Sequence, residues 1–413
     1  MISKLYAKWM YAWEIALTTR DTNRIERPLD WGFEFLADIG GLEAEAAVSR
    51  GEVSALAAFV GLNKKIVADP EGFFDYVTPS DFRIEMHHPQ LYPTNVRPET
   101  LEQEAEWRRQ AEVGELRREP FLRFTSPVRT PYPENDTANA RWYESAESRE
   151  QGVRSREGKN KNAKPKQAMI VMPQWNADAF SHNVLCEMFN KFGISCLRLS
   201  KPYHDVRRPA ELERSDYAVS ANLGRTIAAC RQAVVDVRSC VDWLTAQGYE
   251  QIGVLGTSLG SAYAFIAAAM DPRIRVCAFN HVSMQFGDVV WTGQSTRHVM
   301  SVFEQAGLTH EDVRAVFAAI SPISYMQPFA EAGVRRRSLV VHATYDLTFL
   351  ESYSLEVLKN FDELGVQYVA KVLPCGHYTT GETPYKYLDG WYLGSFVWGA
   401  FRRLAAESGE GGS

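Results

Sequence analysis

Hydrophobic positions in the C-terminal two thirds of the chain follow two alternating rhythms. Mainly apolar runs at 168–172, 194–199, 252–255, 274–279, 339–341 and 368–373 have the length and composition of strands buried on both faces. Between them, apolar residues recur every three or four positions. The clearest such segment carries Leu223, Ile227, Cys230, Val234, Val237, Val241 and Leu244 on one helix face and stops at Gly248. Strand and helix in alternation predict right-handed crossovers and a parallel sheet covered on both sides. Upstream, 121–128 and 138–143 read as an antiparallel hairpin around a turn bearing Pro, Asn and Asp. The polar stretch that follows reads as a flexible basic loop over 147–166.

The first 117 residues have a different pattern. Ile2, Leu5, Trp9 and Trp13 make an apolar stripe at helical spacing, helical patches lie at 29–42 and 52–67, and 99–118 is a charge-dense helix. No strand rhythm is visible there. The expected organisation is a helical extension over 1–117, an α/β domain over 118–405 and a disordered tail over 406–413. The aromatic stripe is expected to dock on the α/β domain, with a homodimer formed through it or a contribution to a lid as the alternatives.

Composition narrows the classes. The 413 residues are 45% hydrophobic and 23% charged, as in globular proteins. A net charge of -6 supplies no basic field for nucleic acid or an anionic membrane. The basic excess is local: Arg154, Arg156, Lys159, Lys161, Lys164 and Lys166 face a single acid, Glu157. The charge-free stretch 251–270 is long enough to span a bilayer, but Gly253, Gly256, Thr257, Ser258, Gly260 and Ser261 interrupt it, so no span is expected. The first apolar run is broken by Glu14 and no small-residue cleavage site follows, so no secretory signal is expected either. Six scattered cysteines without a C-x-x-C pair read as reduced core residues of a cytoplasmic protein. His87 and His88 precede Pro89 in what reads as a polar loop and the other histidines lack ligand spacing, so neither a metal nor another cofactor is expected.

Candidate chemistry lies at the ends of three strands. The run ending at Leu255 leads directly into Gly256-Thr257-Ser258-Leu259-Gly260 and then an Ala-rich helix, which is G-x-S-x-G between strand and helix. Such a turn lifts the serine Oγ clear of the sheet, and the following helix aims N–H groups at the place where an oxyanion would form. A serine hydroxyl needs a base, and the base an orienting acid. Asp346 follows the strand 339–341, and His377 follows the strand 368–373 beside Gly376. His204-Asp205 is a weaker base and acid pair, because adjacent residues orient each other poorly.

Together these pieces resemble the α/β-hydrolase superfamily over about 121–405. The carrying residues are Gly256-Thr257-Ser258-Leu259-Gly260, Val341-His342-Ala343-Thr344-Tyr345-Asp346 and Cys375-Gly376-His377. The run Pro-Tyr-x-x-x-Arg-Arg-Pro at 202–209, with the N-terminal extension, is similar to large abhydrolase-domain proteins and dienelactone-hydrolase-like esterases. The resemblance implies an eight-stranded, mostly parallel sheet with its second strand antiparallel and helices on both faces. It also implies a triad of Ser258, Asp346 and His377 that hydrolyses a small-molecule carboxylic ester through an acyl-enzyme. A peptidase or amidase, a thioesterase, an acyltransferase or a non-catalytic binding module on the same fold are the alternatives. Where relatives often carry His-Gly, this chain has Met172-Pro173-Gln174-Trp175-Asn176, so the oxyanion donors are expected to be the backbone N–H groups of Leu259 and Trp175, with Gln174 as alternative for the second.

The long connection 284–336 is expected to be a helical cap, with helices at 295–306 and 309–320 and a capping-box relative at Thr309 and Asp312. Among its residues, Trp291, Met300 and Phe303, with Val289, Val290 and Phe317, are candidates to line an apolar substrate pocket. Arg297 and His298 are candidates to meet a polar substrate group.

Overall fold

The apolar runs assemble into one nine-stranded sheet. In chain order the strands are β1 (Arg83–His87), β2 (Glu119–Thr125), β3 (Thr137–Tyr143), β4 (Lys166–Met172), β5 (Ser195–Ser200), β6 (Tyr249–Thr257), β7 (Ile274–Asn280), β8 (Arg337–Ala343) and β9 (Tyr368–Leu373). Their spatial order is β1-β2-β3-β5-β4-β6-β7-β8-β9. The structure, a computed structural model, describes residues 2–20, 23–93, 98–156, 164–331 and 336–410. Strands β4 to β9 are mutually parallel, and β3 runs antiparallel to β5, β2 to β3 and β1 to β2. All six parallel strands therefore point their C-terminal ends to one edge.

Two hydrophobic cores cover the sheet. One face packs on the helices Leu223–Ala246 and Leu259–Met270, the other on Asn183–Lys191 and Tyr385–Glu410. The helix Leu223–Ala246 starts where Asn222 Oδ1 accepts from the Arg225 N–H, and all seven residues of its expected apolar face are buried. The extension shares the first core, because Phe33, Leu36, Phe59, Leu62, Phe73 and Phe74 are buried within it.

Several expectations are corrected. The sheet has nine strands rather than eight, because 83–87, inside the extension, adds an edge strand. Ile84 and Met86 in that strand remain about half exposed, so main-chain pairing with β2 holds it and no buried alternation marks it in the sequence. At the other edge, β9 exposes Val369 and Val372 and is not buried on both faces. The expected flexible loop 147–166 begins as a helix, Ala146–Arg156, while 157–163 lie outside the described residues. Ser145 Oγ accepts the Ser148 N–H at its start. The expected disordered tail, 406–413, is helical to Glu410, while 411–413 lie outside the described residues. The N-terminal helix Ile2–Thr18 docks on the α/β body with Met10, Glu14 and Leu17 buried, whereas Leu5 and Trp9 of the expected stripe are 63% and 51% exposed.

The connection from β7 to β8 is helical in its described part, with helices Phe286–Thr292, Arg297–Gln305, His310–Val316 and Met326–Glu331. Thr309 and Asp312 form a reciprocal capping box at the start of the helix His310–Val316. Among the described residues, no helix is long and apolar enough to cross a membrane. All six cysteines are buried and unpaired.

Candidate active site

Ser258 stands between β6 and the helix Leu259–Met270 with φ 57° and ψ -122°, a backbone conformation that costs a non-glycine residue about 1 to 3 kcal/mol. The surroundings enforce it. Its N–H donates to Asn280 O at 2.8 Å, and its carbonyl accepts from Ser261 Oγ at 2.6 Å. A Cβ on Gly260 would stand 2.2 Å from Met172 O, and one on Gly256 would stand 2.2 Å from Gly260 O, so both flanking glycines are required by backbone approach.

The base and acid reach this serine from the next strand ends. His377 Nε2 lies 3.0 Å from Ser258 Oγ, and His377 Nδ1 lies 2.9 Å from Asp346 Oδ2. Asp346 Oδ1 accepts the Thr348 and Phe349 N–H groups, both at 2.7 Å, which fixes the carboxylate plane. Phe349 stacks on the His377 ring at 5.3 Å. Burial works to raise the Asp346 pKa, but the facing His377 and the hydrogen bonds from His281 and His377 hold it well below the usual carboxylate range. For His377, burial works downwards and is outweighed by Asp346 and Glu14, so its pKa is raised. The three residues thus form the hydrogen-bonded line that a serine nucleophile requires.

A small apolar cavity, open to solvent, lies against Ser258. Trp175 and Leu259 both line it, whereas Gln174 does not; the Gln174 carbonyl instead accepts from the buried Lys201 Nζ at 2.9 Å. The turn carrying Trp175 is held on several sides. Asn176 N–H donates to His204 Nε2 at 3.1 Å, Asn176 Oδ1 accepts the Ser215 N–H at 2.8 Å, and Trp175 Nε1–H donates to Ser215 O at 2.9 Å. His204 therefore braces the turn, with its pKa held well below normal by burial, and is not paired with Asp205, which binds Arg198 and Ser200.

The pocket residues expected from sequence are corrected. The β7–β8 connection contributes Phe286, Val289, Val290, Ser295 and Thr296 to the cavity, and not Trp291, Met300 or Phe303. Phe286, Val289 and Val290 share one face of a short helix, which turns Trp291 away to stack on His310. Phe303 is fully buried against Phe317 inside the connection, and Met300, on the same helix, is half-buried away from the cavity. His298 stacks on Trp175 with the rings 7° from parallel, and burial with the nearby Arg24 and Arg214 lowers its pKa to about 4. Arg297 donates to Gln294 O at the surface.

Two residues at the site were missed. His281, just past β7, points Nδ1 at the same Asp346 Oδ2 that His377 uses, also at 2.9 Å, and is buried. Its place at a C-terminal strand end was the available signal. Glu14, from the N-terminal helix, accepts N–H groups of the His377 loop; the sequence showed it only as a break in an apolar run. Among the described residues, His281, Asp346 and His377 are also the one His and acid group compact enough to share an ion, and their facing atoms are engaged with one another.

Residues 144–338, just under half of the chain, match the family model described as alpha/beta hydrolase domain containing 18, a span that includes Ser258 but neither Asp346 nor His377. No curated protein matches the chain. Among solved structures, the chain is similar to acetyl xylan esterase from a Paenibacillus species (11% identity, 82% of this chain and 94% of that one, TM-score 0.47). It is also similar to acetyl xylan esterase 1 from a Thermoanaerobacterium species (14%, 75% and 97%, 0.46) and to Est1E from Butyrivibrio proteoclasticus (14%, 64% and 95%, 0.42). With this sheet order and a serine held at the strand-to-helix turn, the chain has the α/β-hydrolase fold, and its residues 144–338 match a family of that fold.

Proposed function

We propose that the protein is a serine hydrolase acting on small-molecule carboxylic esters. The observation that carries this reading is the unbroken line Ser258 Oγ, His377 Nε2, His377 Nδ1, Asp346 Oδ2, with links of 3.0 and 2.9 Å. His377 takes the Ser258 proton as Oγ attacks the ester carbonyl, and Asp346 holds the imidazole and stabilises the imidazolium that forms. Backbone N–H groups of Leu259 and Trp175 receive the oxyanion. His377 then protonates the departing alcohol, and water attacks the acyl-enzyme by the same route in reverse.

The cavity supports an uncharged acyl group, since apolar residues such as Trp175, Val219, Leu259, Phe286, Val290 and Phe349 dominate its lining and the polar residues in it are all serines and threonines. Six buried, unpaired thiols suit a reducing, cytoplasmic compartment. The test is a panel of p-nitrophenyl esters of increasing acyl length, lactones, thioesters and peptide anilides, with Ser258→Ala as control. Turnover of short-chain esters that vanishes in the variant is the expected result. Preference for anilides or thioesters would move the protein to the amidase or thioesterase class, and ester turnover that persists in Ser258→Ala would overturn the reading.

A further inference from the structure

Besides Asp346, a second carboxylate is buried at His377, and it comes from the opposite end of the chain. Glu14, on the N-terminal helix, is fully buried. Its Oε1 accepts the Tyr378 N–H at 2.8 Å, and its Oε2 accepts the Thr379 N–H at 3.0 Å and the Thr379 Oγ1–H at 3.1 Å. Thr379 Oγ1 in turn accepts the Gly376 N–H at 2.6 Å. One carboxylate and one hydroxyl thus tie the backbone on both sides of His377. The fit depends on Gly376, because a Cβ there would stand 2.4 Å from Glu14 Oε2 and 2.8 Å from Tyr345 O.

Burying a carboxylate costs several kcal/mol unless it is compensated. Burial pushes the Glu14 pKa up, against the pull of the Tyr378 N–H, His377 and the Thr379 N–H. Its neighbours on the buried helix face, Met10 and Leu17, are apolar, and a third apolar residue would serve docking alone. A charge placed there at that cost points to a role beyond packing.

We propose that Glu14 is a positioning residue for His377: it sets the 376–379 loop so that Nε2 faces Ser258, and its charge stabilises the imidazolium formed as the serine is deprotonated. The N-terminal helix thereby completes the active site. This role rests on the serine-hydrolase reading. The groups facing His377 are Asp346 from the loop after β8, His281 from the loop after β7, Ser258, the adjacent Tyr378, and Glu14 from the N-terminal helix. Arg24, further along the N-terminal segment, donates to Tyr378 Oη at 3.3 Å and to Gln294 O at 2.9 Å, so the same segment also links the loop to the β7–β8 connection.

The experiment measures how fast a fluorophosphonate labels Ser258 across pH 5 to 9 in the full-length wild type, Glu14→Gln and Thr379→Val, with near-ultraviolet circular dichroism as a check of packing. Glu14→Gln is expected to label about 10- to 100-fold more slowly at the plateau, the size of effect that a small displacement of a catalytic group produces. Its acid limb is expected to move to lower pH, because a negative charge facing the imidazolium is gone. Thr379→Val keeps that charge and is expected to slow labelling with the limb in place; it carries the test if Glu14→Gln does not fold. Labelling of both variants within about twofold of wild type, on the same limb, would overturn the role while leaving the serine-hydrolase reading intact. A wild type that does not label would overturn both.

Discussion

The serine turn after β6 and the N-terminal helix both end at His377, but they are written differently in the sequence. At the turn, each constraint falls on a neighbour in the chain: Ser258 needs a strained φ, and Gly256 and Gly260 are demanded by backbone atoms 2.2 Å from where a Cβ would be. In the helix, the local pattern points the wrong way. Of the conspicuous stripe, Leu5 and Trp9 are exposed and Trp13 is only partly buried, while Glu14, which breaks the apolar run, is fully buried against residues at the far end of the chain. Backbone strain leaves a mark in adjacent residues. A long-range polar contact leaves none, because its partner is fixed only by the fold.

The largest effect belongs to the turn. Ser258→Ala should lower kcat for a short-chain ester by about 10⁵- to 10⁶-fold, with thermal stability near that of wild type. A loss below about tenfold would place the chemistry elsewhere.

Next in size is a buried acid that the sequence did not reveal. Asp389, on the last helix, accepts from Asn280 Nδ2 at 3.0 Å, and burial raises its pKa to about 6. A folded pKa above the unfolded one means that folding takes up a proton between about pH 4 and 6, so stability falls as pH rises through that window. Asp389→Asn should therefore stabilise the protein above pH ~6 by about 1 to 3 kcal/mol and have little effect below pH ~4, as chemical denaturation at both ends of the range would show.

At the turn again, Gly260→Ala should cost about 1 to 3 kcal/mol by forcing the helix start away from β4, and should slow labelling of Ser258. Equal stability and equal labelling would mean that the close approach is not a constraint.

The smallest effect concerns His281. Its Nδ1–H shares Asp346 Oδ2 with His377, so it weakens the hold of that carboxylate on the imidazolium. In the wild type the raised His377 pKa should put the acid limb of kcat/KM above the ordinary histidine value of about 6.5, since activity rises as His377 loses its proton. His281→Ala should move that limb higher still, opposite to Glu14→Gln. A downward shift in the pH profile would contradict the shared-carboxylate account.

How much could be read in advance follows the same division. Strands β4 to β9 were legible because they are continuous apolar runs, and the segments of Ser258, Asp346 and His377 because each sits where such a run ends. The strand β1 was not, because its side chains are half exposed and main-chain pairing holds it. The pocket was misread for a geometric reason: Val289, Val290 and Trp291 are consecutive and apolar, and helix phase decides that the first two line the cavity while the third stacks on His310. Likewise, hydrophobicity alone could not tell that Phe303 belongs to the interior of the connection and not to the cavity wall.

The most direct test of the central claim is to treat the purified full-length protein with a fluorophosphonate near pH 8, digest it and map the adduct by peptide mass spectrometry. The account predicts a single adduct on Ser258, absent in Ser258→Ala and strongly slowed in His377→Ala. An adduct on another residue, or labelling that survives Ser258→Ala, would contradict it.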